Sequence, residues 1–472
     1  MRQLKMPSLK KNRAYLTSAI AFSTLILFLC SSLRHALFQS SFDLAIFDNA
    51  VYLISQGQSP LVTFRGLHIL GDHAALILYP LAWLYKIYPS VYWLFAVQAI
   101  ALTLGILPLW YLADEVGLKP TQIKTITFVY LLYPLIFNVN LADFHPEVMA
   151  VPGILGAVLA ARKKQLWWFI FAIAFILSCK AVLALTIAAM GIWLIGWERK
   201  SQYGIIAVVS SSIWFAIATQ LIIPHFSGSE AAAVDRYSYL GNSVPQIIQN
   251  LFFKPWLVSS QVFSLATLEY IFLLISPVLW AISFRSNYAP LIGAIPILLV
   301  NILSESASQR NLVHQYSLPI VPWLFLVVIS TMATQKAWIK SKRGILVWSV
   351  ITFLALAKFG YFGSLYLVSL DTWQATREAI AQIKTKEGVL TTTDIAPHLT
   401  HRPIVRLTTI GSESNDLSEI KYVLLNFRHP GWASSIETVR ILGEKIRQKP
   451  EFKIEYQKDD VVLFIRQTNL QN

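Results

Sequence analysis

The sequence predicts an all-α polytopic membrane protein of about eleven transmembrane helices, followed by a small α/β domain at the C-terminal end. Three observations carry this reading. Mean hydropathy is +0.55 across 472 residues, with 55% hydrophobic and only 14% charged residues, whereas soluble domains carry nearer a quarter charged. The apolar residues gather into runs, most of them of spanning length. The basic residues sort into alternate loops, and from about residue 370 the composition becomes that of a soluble domain.

The first run, 15–33, follows Arg2, Lys5, Lys10, Lys11 and Arg13. It is of spanning length with no small-residue cleavage site after it, so it reads as an uncleaved helix with a cytoplasmic N-terminus rather than a signal peptide. Further runs lie at 90–112, 125–142, 147–161, 166–179, 181–197, 203–223, 267–284, 288–303, 317–333 and 344–367. The stretch 74–88 is too short to cross and is interrupted by Pro80 and Lys86, so it is expected to lie on the outer surface. Counting from a cytoplasmic N-terminus, the inside segments hold seventeen Lys or Arg, whereas the longer outside segments before the C-terminal region hold seven. That bias is the topological signature of a cytoplasmic N-terminus, and it accounts for the net charge of +14 without a polyanionic partner. Nucleic acid is not expected as a partner, because no basic stretch is interleaved with stacking aromatics. Cys30 and Cys179 both fall in apolar runs, so neither a disulfide framework nor a cysteine metal site is expected.

The domain organisation read from this pattern is a membrane domain, 1–369, with a long first outer loop, 34–89, and an extracytoplasmic domain, 370–472. In the latter, 372–386 reads as a helix capped by Thr372 or Asp371 and stopped by Gly388. Strands are expected at 389–393, 404–408 and 422–427, an amphipathic helix at 434–448, and a hairpin pairing 452–457 with 461–465.

The ionisable residues set among apolar segments fall on the outer side, where a charge is costly unless it has a partner or a function. In the first outer loop Asp43 opens a helix running to about residue 56, with Asp48 on another side of it, since five residues turn about 500°. Asp43 reads either as an N-cap or as a carboxylate whose apolar surroundings suit it to act as a base. Gly71-Asp72-His73 follows in the same loop. The turn Asp143-Phe144-His145-Pro146-Glu147 packs three titratable groups into five residues, more than capping requires. A divalent metal is a candidate occupant of Asp143, His145 and Glu147, although this spacing signals metal far more weakly than His-Glu-x-x-His on one helix. Lys180 interrupts the apolar stretch 166–197 and reads either as a plain helical-hairpin turn or as a cation for an anionic phosphate. Arg310 and His314, with Glu305 and Gln309 nearby in sequence, offer a second phosphate ligand through a planar guanidinium, against a snorkelling role for Arg310. No phosphate loop, dinucleotide fingerprint or nucleophile elbow is present in the sequence.

One cytoplasmic tail, one span, a long outer loop opening with an acid, surface helices with Pro-aromatic sequence such as Tyr79-Pro80-Leu81-Ala82-Trp83, many spans and an outer C-terminal domain together resemble the GT-C glycosyltransferases. Phe42-Asp43-Leu44-Ala45-Ile46-Phe47-Asp48-Asn49, Gly71-Asp72-His73, the Asp143 to Glu147 turn and the stretch 310–319 further resemble a bacterial family of multi-pass membrane proteins, a domain of unknown function near GT-C. The resemblance implies a multi-pass protein of the plasma (inner) membrane that moves a sugar from a polyprenyl-phosphate donor to an acceptor on the extracytoplasmic face, with inversion. By position Asp43 would be the base, and Asp48 and Glu147 would orient the acceptor or hold a metal. His73, Asp143, His145 and His314 would contact sugar or phosphate, while Lys180 and Arg310 neutralise the departing lipid phosphate. One departure stands out: the related family carries Lys-Glu-Asp where this chain has Lys180-Ala181-Val182. A transporter or lipid flippase, and a non-catalytic glycolipid-binding protein, remain as the other readings of the same charges.

Overall fold

The computed structural model describes residues 6–40, 42–229, 232–284, 286–409 and 416–467. Arg2, Lys5 and Arg285, which contribute to the inside charge count, lie outside them. Six helices are long and apolar enough to cross a membrane: Arg13–Ala36, Tyr92–Glu115, Pro120–Ala142, Ser201–Ser227, Gln315–Ala333 and Lys342–Val368. A seventh crossing results if Pro255–Val262 and Leu265–Ala281, bent by 56°, form one span. The apolar helices Leu166–Cys179, Leu183–Gly196 and Ala289–Leu303 are shorter. At 1.5 Å per residue such helices rise only about 21 Å, less than a typical hydrocarbon core, which is why sequence runs and spanning helices do not agree one for one. The stretch expected on the surface contains the ten-residue helix Leu78–Ile87.

The chain contacts divide into two units: 1–29 with 70–77 and 96–358, and 30–69 with 78–95 and 359–472. In the first, polar side chains inside apolar helices satisfy backbone at helix breaks, as a membrane interior requires. Asn138 donates to the carbonyls of Leu312 at 3.0 Å and Leu356 at 3.1 Å and accepts from the Lys358 amide at 2.9 Å. Asn140 donates to the Leu27 carbonyl at 2.8 Å. Gln98 donates to the Asn140 carbonyl and accepts from the His145 amide, both at 3.2 Å. These amides fix the approach to the turn 143–147.

The second unit is built on a sheet. A two-residue ribbon, β1 (Leu61–Val62) with β2 (Leu67–His68), belongs to the first loop. The main sheet comprises β3 (Gly388–Thr391), β4 (Val405–Leu407), β5 (Ile420–Asn426), β6 (Phe452–Lys458) and β7 (Val461–Arg466), in the order β4-β3-β5-β7-β6. β3 runs parallel to β4 and β5, while β7 is antiparallel to β5 and β6. The period-two alternation of β5 sends Val423 and Leu425 to one face, beneath Val439, Leu442 and Ile446 of the helix Ile436–Arg447. Tyr422 and Leu424 go to the other, beneath Ala375 and Ala379 of the helix Trp373–Ala381. The β6–β7 turn places Asp459 and Asp460 at φ 49° and 63°, the left-handed pair that a two-residue hairpin needs.

Two local expectations are corrected. The helix expected to run to 386 ends at Ala381, and Gly388 opens β3 instead of stopping it. A Cβ at Gly388 would collide with the Glu419 carbonyl oxygen, so close strand approach, not helix termination, explains the glycine. Thr372 makes no cap bond and accepts from Asn426 Nδ2 at 2.9 Å. Asp371 instead pairs with Arg428 at 2.7 Å and His429 at 2.8 Å.

The first-loop helix Phe42–Ser55 appears as expected and packs Ala45 against Ala396 and Leu407. Asn49, fully buried, donates to the carbonyls of Thr400 at 2.6 Å and Arg402 at 2.9 Å. Asn49→Ala would orphan a buried carbonyl pair, so it is expected to cost about 1–3 kcal/mol. Thermal unfolding in detergent, with the exposed position Gln58→Ala as control, checks this; equal midpoints for the two variants would contradict it.

Candidate functional site

Two groups of ionisable residues stand out, one in each unit. In the first unit Lys180 joins the helices Leu166–Cys179 and Leu183–Gly196 with an extended backbone. Glu147 lies on the tight turn Pro146–Met149, where Pro146 occupies the first position, the place at which its missing N–H costs nothing. Lys180 Nζ donates to Glu147 Oε1 at 2.7 Å, with side chains 11% and 4% exposed. Among the described residues, the other oxygen, Oε2, is buried with no hydrogen-bond partner. Burial alone would raise the Glu147 carboxyl, but the Lys180 ammonium and the adjacent His145 outweigh it and hold Glu147 well below the usual carboxylate range. Burial would lower Lys180, and Glu147 reverses this so that Lys180 is raised. Both groups are therefore charged at neutral pH.

Backbone contacts bring the Gly71-Asp72-His73 segment to this pair. The Ala181 amide donates to the His73 carbonyl at 3.1 Å, and the Ile77 amide to the Ser178 carbonyl at 3.0 Å. Gly71 is required by close approach, since a Cβ there would come within 2.8 Å of the Ser227 amide nitrogen. His73 Nε2 lies 3.6 Å from Asp72. Burial lowers the His73 pKa despite the acid beside it. His145 is buried with Nδ1 3.2 Å from the Asp143 carbonyl. Ala181, where the related pattern has an acid, packs into an apolar cluster with Ala74, Ala218 and Ile223. A carboxylate there would be buried among apolar side chains.

Two residues that sequence reasoning passed over complete the arrangement. The Tyr316 ring lies 5.8 Å from Lys180 Nζ and 5.4 Å from the Arg236 guanidinium, within cation–π range of both. The backbone of Arg236 is pinned by the Glu305 amide at 2.9 Å, and Tyr239 donates to the Leu303 carbonyl at 2.8 Å. Turned to satisfy its neighbours, the Gln309 amide accepts from Arg236 Nη1 at 2.8 Å. Arg310 is engaged elsewhere. Its Nη1 reaches the carbonyls of Ser304, Ile302 and Asn301 at 2.7, 3.1 and 3.3 Å and closes the end of the helix Ile295–Leu303. His314 precedes the turn Gln315–Ile320, its ring 6.3 Å from that of Tyr316. Among the described residues no group of three or more His, Cys, Asp or Glu is disposed to hold a metal ion.

In the second unit Asp43 lies in the first turn of its helix, half-buried. Asp48 is 1% exposed and accepts from the Tyr85 and Thr400 hydroxyls, with His401 Nε2 at 3.2 Å. Its oxygens are thus engaged by donors, and burial together with Asp48 raises the Tyr85 hydroxyl far above its ordinary pKa. His401 stacks on Tyr52 at 4.8 Å. His398 stacks on His35 at 3.9 Å, and burial lowers the His398 pKa to about 4.

A family model described as "Predicted membrane protein (DUF2079)" matches residues 34–463. The chain belongs to this family. No curated protein sequence matches it. Among solved structures, ArnT from Cupriavidus metallidurans in the apo state is similar over 96% of this chain and 98% of that chain, at 11% identity and a TM-score of 0.56. ArnT bound to undecaprenyl phosphate aligns over 97% of this chain and 99% of that one, at 12% identity and a TM-score of 0.53. Arabinofuranosyltransferase AftD from Mycobacteria aligns over 97% of this chain and 40% of that one, at 13% identity and a TM-score of 0.48. The DUF2079 chain therefore shares the fold of the GT-C glycosyltransferases.

Removing one partner of the buried pair leaves the other charge uncompensated, so Lys180→Met and Glu147→Gln are each expected to cost about 3–5 kcal/mol, with partial recovery in the double variant. Thermal unfolding in detergent reads this, and additive losses in the double variant would contradict it. His398 supplies a pH test. Its folded pKa lies below the ordinary 6.5, so its contribution is intact above pH 6.5 and is lost as pH falls towards 4, by roughly 1–3 kcal/mol. The midpoint of the wild type should fall over that window more steeply than that of His398→Phe; parallel curves would count against it.

Proposed function

We propose that this DUF2079 protein is a GT-C-type glycosyltransferase that moves a sugar from a polyprenyl-phosphate donor to an acceptor on the extracytoplasmic face. The observation that carries this reading is the grouping of Lys180 and Arg236 within cation–π range of the one ring of Tyr316. Two cations, one at the end of an apolar helix and one on the turn Ala232–Tyr237, are suited to a dianionic phosphate at a membrane boundary. ArnT, of the same fold, binds undecaprenyl phosphate in one solved structure, which favours a polyprenyl lipid here.

In this reading Asp43 accepts the proton of the acceptor hydroxyl as its oxygen attacks the anomeric carbon from the side opposite the phosphate. The bond from that carbon to the phosphate oxygen breaks, and its electron pair leaves on polyprenyl phosphate. Lys180 and Arg236 stabilise the charge that develops there. The Glu147 oxygen not used by Lys180 accepts from a sugar hydroxyl, and Asp143 and His145 shape the turn that presents it. Asp48 acts as a positioning residue, Arg310 closes the end of the helix Ile295–Leu303, and His314 precedes the turn that carries Tyr316. No step runs through a metal.

The orientation rests on the excess of Lys and Arg in the inside segments and on a count of eleven crossings. Support for eleven comes from adding the bent pair, the three shorter apolar helices and the helix Ala150–Arg162 to the six long ones. An odd count puts the domain 370–472 outside the cytoplasm, with 1–369 as the membrane domain. The apolar packing of Ala181 favours a second, non-catalytic reading, and one assay separates the two. Purified protein is incubated with polyprenyl-phosphate sugars and release of the lipid phosphate is followed. Turnover in the wild type, reduced about 100-fold or more in Asp43→Asn and in Lys180→Met, is expected. Binding without turnover would establish the non-catalytic reading, and equal rates in wild type and Asp43→Asn would remove Asp43 as the base.

A further inference from the structure

We infer that the acceptor is a saccharide and that the indole of Trp432 is the surface on which one of its rings stacks; this rests on the reading of Asp43 as the base. Trp432 is 68% exposed, which by itself says little, since single apolar side chains are common on protein surfaces. Its place in the fold says more. Other strongly exposed tryptophans, Trp167, Trp168 and Trp256 among them, lie on apolar helices, where contact with lipid accounts for them. Trp432 lies instead on the loop between β5 and the helix Ile436–Arg447. There it meets Phe42, the residue before Asp43, with ring centroids 5.8 Å apart and planes at 88°. An edge-to-face contact of this kind covers at most one face of the indole and leaves the other open. Phe42 is seated in turn on Phe64, at 5.7 Å, and on Ala396 and Leu407. The indole is therefore anchored to the first turn of the helix that carries Asp43.

The loop that presents Trp432 is held along its length. Asn426 Oδ1 accepts from the amides of Arg428 at 3.1 Å and His429 at 2.9 Å, and Ser435 caps the following helix by accepting from the Thr438 amide at 3.0 Å. Between them Gly431 has φ 80°, and a Cβ there would lie 2.9 Å from Thr393 Cβ and 3.3 Å from Asp394 Oδ1. The backbone entering Trp432 is thus pressed against the turn at Thr393 and Asp394, and a platform fixed in advance loses little freedom when a ligand settles on it. Chemistry selects the ligand. A sugar ring has a face of C–H groups and a rim of hydroxyls, so its recognition calls for an open aromatic face beside a few polar groups. Asp394 and His429, with Thr372 and Asn426, line a recess of about 10 Å³, room for one group the size of a water or a hydroxyl. Asp394 both lines this recess and touches the backbone next to Trp432, so recess and platform adjoin. An acyl chain on the same indole would press apolar surface against that carboxylate.

The test applies the full chain in detergent to an array of pyranose and furanose oligosaccharides and compares the wild type with Trp432→Phe and Trp432→Leu. The leucine variant keeps an apolar contact with Phe42 but has no aromatic face. The wild type is expected to retain a subset of the glycans. Trp432→Leu should weaken those about tenfold or more at an unchanged thermal midpoint, and Trp432→Phe should recover part of the loss. A wild type that retains no glycan, or equal retention by Trp432→Leu, would overturn the inference. The retained glycans are then offered as acceptors with polyprenyl-phosphate sugars, and release of the lipid phosphate is followed. Retention that depends on Trp432 without any release leaves the saccharide site standing and removes the transferase reading. Release that proceeds equally in the wild type and Trp432→Leu removes Trp432 alone.

Discussion

An ammonium and a carboxylate buried side by side among apolar helices is the constraint around which the first unit is organised. Neither Lys180 nor Glu147 is tolerable alone at such depth, and together they roughly break even against an apolar pair of the same volume. The pair therefore contributes position more than stability. It sets the extended turn between two helices against the start of a third. The segment 73–77 is laid along that turn by two backbone hydrogen bonds, which Gly71 permits by leaving room for the chain at 226–227. Among the described residues, Glu147 Oε2 is left buried without a hydrogen-bond partner, and Lys180 and Arg236 both lie within cation–π range of Tyr316.

The second unit resolves the same problem in the opposite way. Asp48 is as buried as Glu147, yet its oxygens face two hydroxyls and an imidazole, so nothing is left over for a substrate. With Asn49 beside it, this carboxylate ties the first-loop helix to the segment after Ile395. A buried acid with an unused oxygen and a buried acid with none are different chemical objects, although both are acids set in apolar sequence.

That distinction marks how far the sequence is legible. A charge interrupting apolar sequence is visible because its cost is local, and Glu147, Lys180, Asp72 and His73 are found that way. The α/β domain is legible too, because strand alternation and the left-handed turn at 459–460 are written in short stretches. Arg236 and Tyr316 are given no role by the sequence: one lies in an ordinary polar loop, the other just before the apolar run 317–333, and only tertiary packing brings them to Lys180. Arg310 looks like a phosphate ligand until the carbonyls at the end of a neighbouring helix claim it. Gly388 reads as a helix stop because the Glu419 carbonyl that requires a glycine comes from a distant stretch of chain. The number of crossings is less legible, because hydropathy reports composition, not rise, and Leu166–Cys179, Leu183–Gly196 and Ala289–Leu303 are shorter than the six long apolar helices.

The central claim is that Lys180 and Arg236, fixed about Tyr316, form a seat for a lipid phosphate. A cryo-electron microscopy map of the full chain with bound polyprenyl phosphate tests it most directly. The account predicts phosphate density within hydrogen-bonding reach of Lys180 Nζ and the Arg236 guanidinium. Phosphate density elsewhere on the protein, with the Lys180–Glu147 pair and Tyr316 unengaged, would contradict it.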